Sequence, residues 1–305
     1  MRMTVMQKRI EYLKSFVKEF DYPAEAQEVL VNTCEAIYES TEAAEILEYV
    51  LRVYESDLWF DYGFWYKKLP AIAEKSQQQK ETVDLVFLIL MSEHMKQLYI
   101  NRNIDLEIFH DSCLDFKAKL FECHDVRGIW GTFVIDWFGR FFNLTRFALG
   151  RLQFEINISQ ADLYSPYRTL LTGENFVGIH IPALGPLKEE DVRASFIKAS
   201  KFFTPAFKDG IVTFRTGSWL IAPEHREMLK PDSNIIKFMN FFYITPHEKT
   251  VEGDYWRIFN TTDCSDVNKL PCDNSLRRAY IKAIRENKIP HLGIGLFWMQ
   301  DGKFL

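Results

Sequence analysis

The sequence of 305 residues has few cysteines and no excess of basic residues. Its five cysteines, an odd number in a long chain, do not suit a secreted disulfide scaffold and favour a reduced, cytoplasmic protein. A formal net charge of −5 gives no basic field to neutralise phosphates, so nucleic acid is not an expected partner. The N-terminus lacks the apolar core of a secretory signal, and no stretch reaches the roughly 18 uncharged apolar residues of a membrane span. We therefore expect no membrane partner.

Signature motifs of several enzyme classes are also missing. The absence of GxxxxGKS/T, GxGxxG, HExxH and GxSxG argues against P-loop hydrolysis, dinucleotide oxidoreduction, zincin proteolysis and α/β-hydrolase chemistry. An H-x2-C-x9-C-H spacing does occur at His110, Cys113, Cys123 and His124. Because it lies in helical, apolar sequence rather than on the short turns that hold structural zinc, we interpret it as buried thiols and predict no metal site.

Large aromatic residues are abundant, and the first half of the chain has the periodicity of helices. The 26 Phe, 13 Tyr and 7 Trp indicate a well-filled core. One face of a first helix is formed by Met6, Ile10, Leu13, Val17 and Phe20. Further helices are predicted over 24–38, 41–55, 62–75, 80–99 and 105–124. Strand signals are almost absent before residue 130.

The second half changes to short runs of β-branched and aromatic residues. Strands are predicted at 150–158, 175–182, 211–216, 241–247, 254–260 and 291–299. Two amphipathic helices, 188–203 and 275–287, lie between them. The fold class is therefore α+β, an all-helical N-terminal domain over residues 1–145 followed by a mixed α/β sheet domain over residues 146–305.

The segment NFVGIHIPALGPL contains the strongest candidate site. In a strand, Gly178 and His180 point to one face while Val177 and Ile179 point to the other. The strand is followed by a sharp turn and a helix start, whose free N–H groups suit an anion. His180 is either a structural histidine or a catalytic one.

A second strand and turn lies further along the chain. Strand 211–216 is followed by Gly217 and Ser218, and Asp232-Ser233-Asn234 is typical of a turn and helix cap. Either these residues only cap the backbone, or Ser218 and Asn234 line a cleft beside the strand that carries His180.

Three stretches together resemble a known family. LGRLQFEI, VGIHIPALGPL, and SWLIAP with PDSNIIKF are similar to the bacterial acyltransferase-domain proteins, which have a helical N-acyltransferase N-terminal domain and a GNAT-like C-terminal domain. The resemblance implies a GNAT-like sheet in which two parallel strands splay apart to admit an acyl-coenzyme A co-substrate. It also implies backbone contacts to the pantetheine arm and pyrophosphate from Ile181, Ala183, Leu184 and Gly185.

Two functions follow from these observations. The first is an N-acyltransferase that moves an acyl group from acyl-coenzyme A to a small-molecule amine or a peptide, with His180 as the base and Glu155 as the alternative base. Tyr243 or Tyr255 would return a proton to the leaving thiolate. The second is a catalytically inactive GNAT-fold binding or structural protein, because the turn has a single glycine before Pro186 and the next helix starts with acidic residues.

Overall fold

The computed structural model describes residues 4–56 and 61–305. Contacts between Cα atoms divide the chain into two compact units, Met1–Phe147 and Ala148–Leu305. The domain boundary between residues 145 and 146 stays a prediction from the sequence.

The described part of the first unit is helical. Its helices are α1 Val5–Glu19, α2 Ala24–Glu39, α3 Thr41–Glu55, α4 Tyr62–Tyr66, α5 Leu69–Ser76, α6 Lys80–Asn101, α7 Leu106–Arg127 and α8 Gly139–Phe142. A capping box fixes the start of α1, since the Thr4 and Gln7 side chains each accept from the other's backbone N–H. The helix predicted over 62–75 is two helices, because Pro70 suits only the first turn of a new one.

Buried charge in the first unit is paired. The guanidinium of Arg9, a residue only 8% exposed, contacts Glu55 at 2.5 Å, Glu93 at 2.7 Å and Glu48 at 3.5 Å. Tyr38 also donates its hydroxyl to Glu48. Burial acts to lower the pKa of Arg9, but its hydrogen bond to Glu55 and the charges of these carboxylates raise it above the ordinary value.

The second unit is built on a mixed sheet. Its strands are β1 Arg146–Leu149, β2 Leu152–Ile158, β3 Asn175–His180, β4 Ile211–Ser218, β5 Tyr243–Thr250, β6 His291–Gln300 and β7 Lys303–Phe304. They lie in the order β1-β2-β3-β4-β6-β5, with β7 paired to β6. The β3–β4 pair is parallel, and β2–β3, β4–β6 and β5–β6 are antiparallel. The helices are α9 Glu189–Phe203, α10 His225–Met228, α11 Asn234–Met239, α12 Tyr255–Phe259 and α13 Ser275–Arg285.

One face of the sheet packs against α9 through aromatic rings. Phe196 of α9 lies 4.7 Å from Phe297, 6.0 Å from Phe214 and 6.2 Å from Phe154, measured between ring centroids. Phe214 and Phe297 are themselves stacked at 4.7 Å. Because strand side chains alternate, the neighbours of these residues in β2, β4 and β6 occupy the opposite face.

The strand predicted over 254–260 is wrong. A 3₁₀ turn at Val251–Asp254 leads into α12, which ends at Asn260 in the left-handed region at φ 52°. Tyr255, Ile258 and Phe259, spaced three and four residues apart, belong to one apolar cluster with Tyr280. A helix is the conformation that brings this spacing onto one face.

Candidate active site

The parallel strands β3 and β4 share a short ladder. Val177 lies opposite Phe214 and Gly178 lies opposite Arg215, while β4 continues its pairing with β6 as far as Ser218. Beyond Gly178, the Thr216 hydroxyl donates to the Ile179 carbonyl at 3.1 Å. At the carboxyl end of β3, the Thr216 side chain therefore makes the hydrogen bond between the strands, where earlier residues pair through their backbones.

A line of polar side chains crosses β2 and β3 beside this point. Glu155 lies opposite Gly178, and Gln153 lies opposite His180, so these four share one sheet face. Glu155 Oε1 is 3.1 Å from His180 Nε2 and accepts a hydrogen bond from Asn157 Nδ2 at 3.2 Å. The two sequence-predicted candidates for the base are therefore neighbours. No aligned hydrogen bond joins His180 Nε2 to the carboxylate, but at this distance a small rotation of the ring would align one.

Gly178 makes room for this polar line. A Cβ at position 178 would lie 2.8 Å from Asn157 Nδ2 and 3.6 Å from Glu155 Cγ. The first distance is shorter than any side-chain packing tolerates, so the amide of Asn157 occupies space that a larger residue would fill. The carboxylate side chain of Glu155 is 6% exposed and the imidazole of His180 is 27% exposed. A molecule arriving from solvent therefore has easier access to the histidine.

The loop between β3 and α9 is held by an arginine that sequence analysis did not identify. The Arg151 guanidinium donates to the carbonyls of Pro182 at 2.9 Å, Gly185 at 2.7 Å and Pro186 at 3.4 Å. Its backbone N–H donates to Ser195 Oγ in α9 at 2.8 Å. Burial lowers the pKa of Arg151. This arginine provides a positive charge at a loop that is followed by an acidic helix start.

The four residues predicted to contact coenzyme A lie at and after the end of β3. Ile181 and Leu184 are half-buried, and Ala183 and Gly185 are exposed. Gly185 is in the left-handed region at φ 84°, which favours glycine in this turn. The backbone N–H of Leu184 already donates to the Pro182 carbonyl at 2.9 Å, so it is engaged within the loop.

The other predicted site residues lie apart from the polar line along the chain. Ser218, at the end of β4, accepts from the Leu220 N–H at 3.1 Å. Asn234 is the exposed first residue of α11, and Ser233 provides the helix cap. Their part in a cleft stays a prediction. Tyr243 is 43% exposed on β5, and burial raises the pKa of Tyr255 in α12 to about 12.

The histidines and cysteines of the H-x2-C-x9-C-H spacing have other neighbours. The ring of His110 stacks on Phe20 at 4.8 Å, and the ring of His124 stacks on Trp130 at 3.7 Å. Cys113 and Cys123 are buried free thiols. Within residues 4–56 and 61–305, no three histidine, cysteine or acidic side chains are grouped to hold a metal ion.

Comparison with protein families accounts for most of the chain. Residues 11–144 match the family model of the N-acyltransferase N-terminal domain, and residues 146–297 match that of the GNAT-like C-terminal domain. The chain belongs to the family of proteins that join an N-acyltransferase N-terminal domain to a GNAT-like C-terminal domain. The family resemblance and the α+β fold predicted from the sequence are thus confirmed, and the second unit is called the GNAT-like domain below.

Solved acyltransferases have the same fold as this N-acyltransferase-family protein. A mutant acyltransferase in complex with octanoyl-CoA superposes with a TM-score of 0.73 at 18% identity, over 94% of this chain and 87% of that chain. An acyltransferase in complex with decanoyl-CoA and teicoplanin superposes with a TM-score of 0.69 at 18% identity, over 92% of this chain and 86% of that chain. Identities this low establish the fold alone. Curated protein sequences give no match.

The described helices of this family member were also compared with the length and hydropathy that a bilayer requires. None of those formed by residues 4–56 and 61–305 is both long and apolar enough to cross a membrane.

Proposed function

We propose that the protein is an N-acyltransferase that transfers an acyl group from acyl-coenzyme A to an amine. The observation that carries this proposal is the contact of Glu155 with His180 beside the short ladder between β3 and β4. A histidine that acts as a general base must be accessible to the substrate, and a neighbouring group must set its tautomer. The partial exposure of His180 and its 3.1 Å distance from Glu155 support this role, at the strand end where a GNAT-like fold is expected to admit its thioester.

His180 is the base in this proposal, and Glu155 is the residue that positions it. A carboxylate only accepts hydrogen bonds, so a ring turned toward Glu155 carries its proton on Nε2, which makes Nδ1 the ring nitrogen with the lone pair. Nδ1 takes a proton from the acceptor's nitrogen as that nitrogen attacks the thioester carbon. The C–N bond forms, the C–S bond breaks, and the coenzyme A thiolate takes up a proton.

The loop between β3 and α9 is the proposed site for the coenzyme A pyrophosphate. Arg151 compensates in part for the acidic first turn of α9, formed by Glu189, Glu190 and Asp191. Its bonds to the carbonyls of Pro182 and Gly185 also order the loop before a ligand arrives. Solved neighbours of this fold are bound to octanoyl-CoA and decanoyl-CoA, which supports a medium-chain acyl donor.

The acceptor is proposed to be a small-molecule amine or a peptide. Two neighbours of the fold were solved in complex with teicoplanin or 10C-teicoplanin, which supports an acceptor other than a large protein. The identity of the amine in the present protein is left to a substrate screen.

The experiment that tests the function measures release of free thiol from octanoyl-CoA in the presence of a panel of primary amines. His180→Ala is expected to lower the rate by about 10²–10⁴-fold, the usual contribution of a general base. Binding of coenzyme A, measured by calorimetry, should stay unchanged, because the substitution removes no group assigned to the loop.

A second histidine and carboxylate pair provides the matched control. His291 on β6 lies 2.8 Å from Glu224, and this pair is outside the polar line of β2 and β3. His291→Ala should therefore retain the wild-type rate. Full turnover in His180→Ala contradicts the base assignment. Coenzyme A binding without turnover of any amine would favour the inactive binding protein instead.

A further inference from the structure

Arg215 is a half-buried cation without the partners that such a group normally has. It lies on β4 opposite Gly178, in the last ladder pair between β3 and β4. Its Nε atom is buried and has no hydrogen-bond partner among the described residues. Burial lowers the pKa of Arg215, and no carboxylate of the described chain acts to raise it again. A guanidinium in this position is costly unless something else supplies the negative charge.

A second unpartnered donor lies on the same sheet face. Trp298 of β6 pairs with Thr213, two residues before Arg215 on β4, so both side chains point away from α9. The indole Nε1 of Trp298 is buried, and it too has no acceptor within the described residues. An indole N–H only donates, as a guanidinium does. The two side chains therefore require an acceptor of the same kind.

The surroundings of these donors are apolar and aromatic. The guanidinium carbon of Arg215 lies 5.0 Å from the ring centroid of Phe176. Phe176 and Trp298 belong to one buried cluster with Leu170 and Leu296, and the ring of Trp298 contacts that of Tyr167 at 5.4 Å. Hydrogen bonds to a charged ligand are stronger in such a low-dielectric setting than in water.

The side chain of Arg215 extends away from the loop proposed to bind coenzyme A. Phe176 precedes Gly178 on β3, whereas the loop follows His180. Because its guanidinium lies over Phe176, Arg215 reaches back along β3, away from the loop. A negative charge bound there would therefore lie away from the proposed pyrophosphate site, where a group of the acceptor rather than of coenzyme A can reach it.

We propose that Arg215 and Trp298 bind a carboxylate of the acyl acceptor, so that the natural acceptor is an amine that also carries a carboxylate. The guanidinium pairs with the carboxylate oxygens, and the indole N–H donates to one of them. The assignment of this ligand to the acceptor rests on the proposed acyltransferase function. The anion site itself can be tested without turnover.

The test is a titration followed by ¹H–¹⁵N nuclear magnetic resonance of the arginine Nε–H and tryptophan Nε1–H groups. Arg215→Lys and Trp298→Phe assign the two signals by their loss. Benzoate should move both signals in a saturable way, while benzamide, which has the same shape without the charge, should move neither. Arg215→Met should weaken benzoate binding by about 10- to 100-fold, as expected for lost hydrogen bonds to a charged group.

Arg168→Met is the matched control, because Arg168 already pairs with Asp209 at 2.7 Å. Its benzoate affinity should equal that of the wild type. The site is overturned if benzoate moves neither signal, if benzamide moves them equally, or if binding persists in Arg215→Met. Movement with inorganic phosphate but not with benzoate overturns the carboxylate assignment.

Acyl transfer then tests the link to the acceptor. Phenylalanine and phenethylamine differ only by a carboxylate, and the wild type should prefer phenylalanine in kcat/KM while Arg215→Met loses that preference. Preference for phenethylamine, or an equal preference in both proteins, contradicts the inference while leaving the acyltransferase function intact. A benzoate response in a protein that transfers to no amine supports the anion site and contradicts the proposed function.

Discussion

The buried Arg9 of the first unit and the half-buried Arg215 of the GNAT-like domain show opposite arrangements. Arg9 in the first unit is surrounded by the carboxylates of Glu48, Glu55 and Glu93. Arg215 in the GNAT-like domain has a buried Nε without a partner in the described chain and lies over an aromatic ring. The helical unit therefore pairs its buried arginine with its own carboxylates, whereas no carboxylate of the described part of the GNAT-like domain pairs with Arg215. Unsatisfied polar groups of this kind mark a site more clearly than the number of charges does.

The largest expected effect comes from removing the charge that is paired. Arg9→Met leaves three carboxylates without their common partner, and we expect it to lower the free energy of unfolding by about 3–5 kcal/mol. Arg215→Met is expected to leave the free energy of unfolding unchanged or to raise it, because it removes a partly desolvated charge that no carboxylate of the described chain compensates. Urea unfolding followed by circular dichroism compares the two variants. Equal destabilisation by both variants would contradict the difference between the paired Arg9 and the unpaired Arg215.

A smaller effect is expected from filling the space beside the polar line. Gly178→Ala puts a methyl group 2.8 Å from Asn157 Nδ2, and overpacking of this kind costs about 1–3 kcal/mol. Displacement of Asn157 should also disturb Glu155, so the rate of acyl transfer should fall with it. Gly217→Ala is the control, because Gly217 lies on the same face of the sheet in β4 and an added Cβ would meet no described atom within 4 Å. It should change neither stability nor rate, and an equal loss in both variants would contradict the steric explanation.

The smallest expected effect comes from His225, a buried polar residue of the GNAT-like domain that, unlike Arg215, has partners for its polar atoms. His225 is fully buried, with Nδ1 3.1 Å from the Leu220 carbonyl and Nε2 2.7 Å from the Tyr280 hydroxyl. Burial lowers the pKa of His225 to about 4, so the folded protein keeps the ring neutral. Its contribution to stability is complete above the unfolded-state pKa of about 6.5 and is lost as the pH falls toward the folded-state value.

Between about pH 7.5 and pH 5.5, this linkage predicts a loss on the order of 1 kcal/mol in the free energy of unfolding. Urea titrations at the two pH values measure the loss. His225→Asn, less stable at neutral pH because it gives up packing and a hydrogen bond, should show a correspondingly smaller dependence on pH. An unchanged dependence would show that another group is responsible.

The sequence was sufficient for the helices because their signals are local. The predicted 24–38 and 41–55 are helices α2 and α3 to within one residue, and local sequence signals were enough to place them. The prediction of a strand at 254–260 was wrong because aromatic and β-branched residues occur both in strands and in helices that pack against a core. Only the contact of Tyr255 with the cluster around Tyr280 decides for the helix. Such contacts between distant residues are not visible in a local pattern.

The candidate site was predictable in part for the same reason. Alternation along β3 indicated that Gly178 and His180 share a face, and the register with β2 adds Glu155 to it. Arg151 and Arg215 were missed because their importance depends on what they contact or lack. One signal was available for Arg215, a charged residue within the apolar run IVTFRT. A charge at a strand position that alternates with buried residues is a reason to look for its partner.

Arg151 connects the turn between β1 and β2 to the loop between β3 and α9, which is distant in sequence. Gly150, at φ 79°, directs the chain between β1 and β2, and a Cβ there would lie 3.0 Å from Ser195 Oγ. The neighbouring arginine then fixes the backbone carbonyls of Pro182 and Gly185. An engineer who wished to transplant this loop onto a related scaffold would consequently have to carry over the hairpin as well. The geometry of the proposed coenzyme A loop and that of the hairpin would then be transferred together.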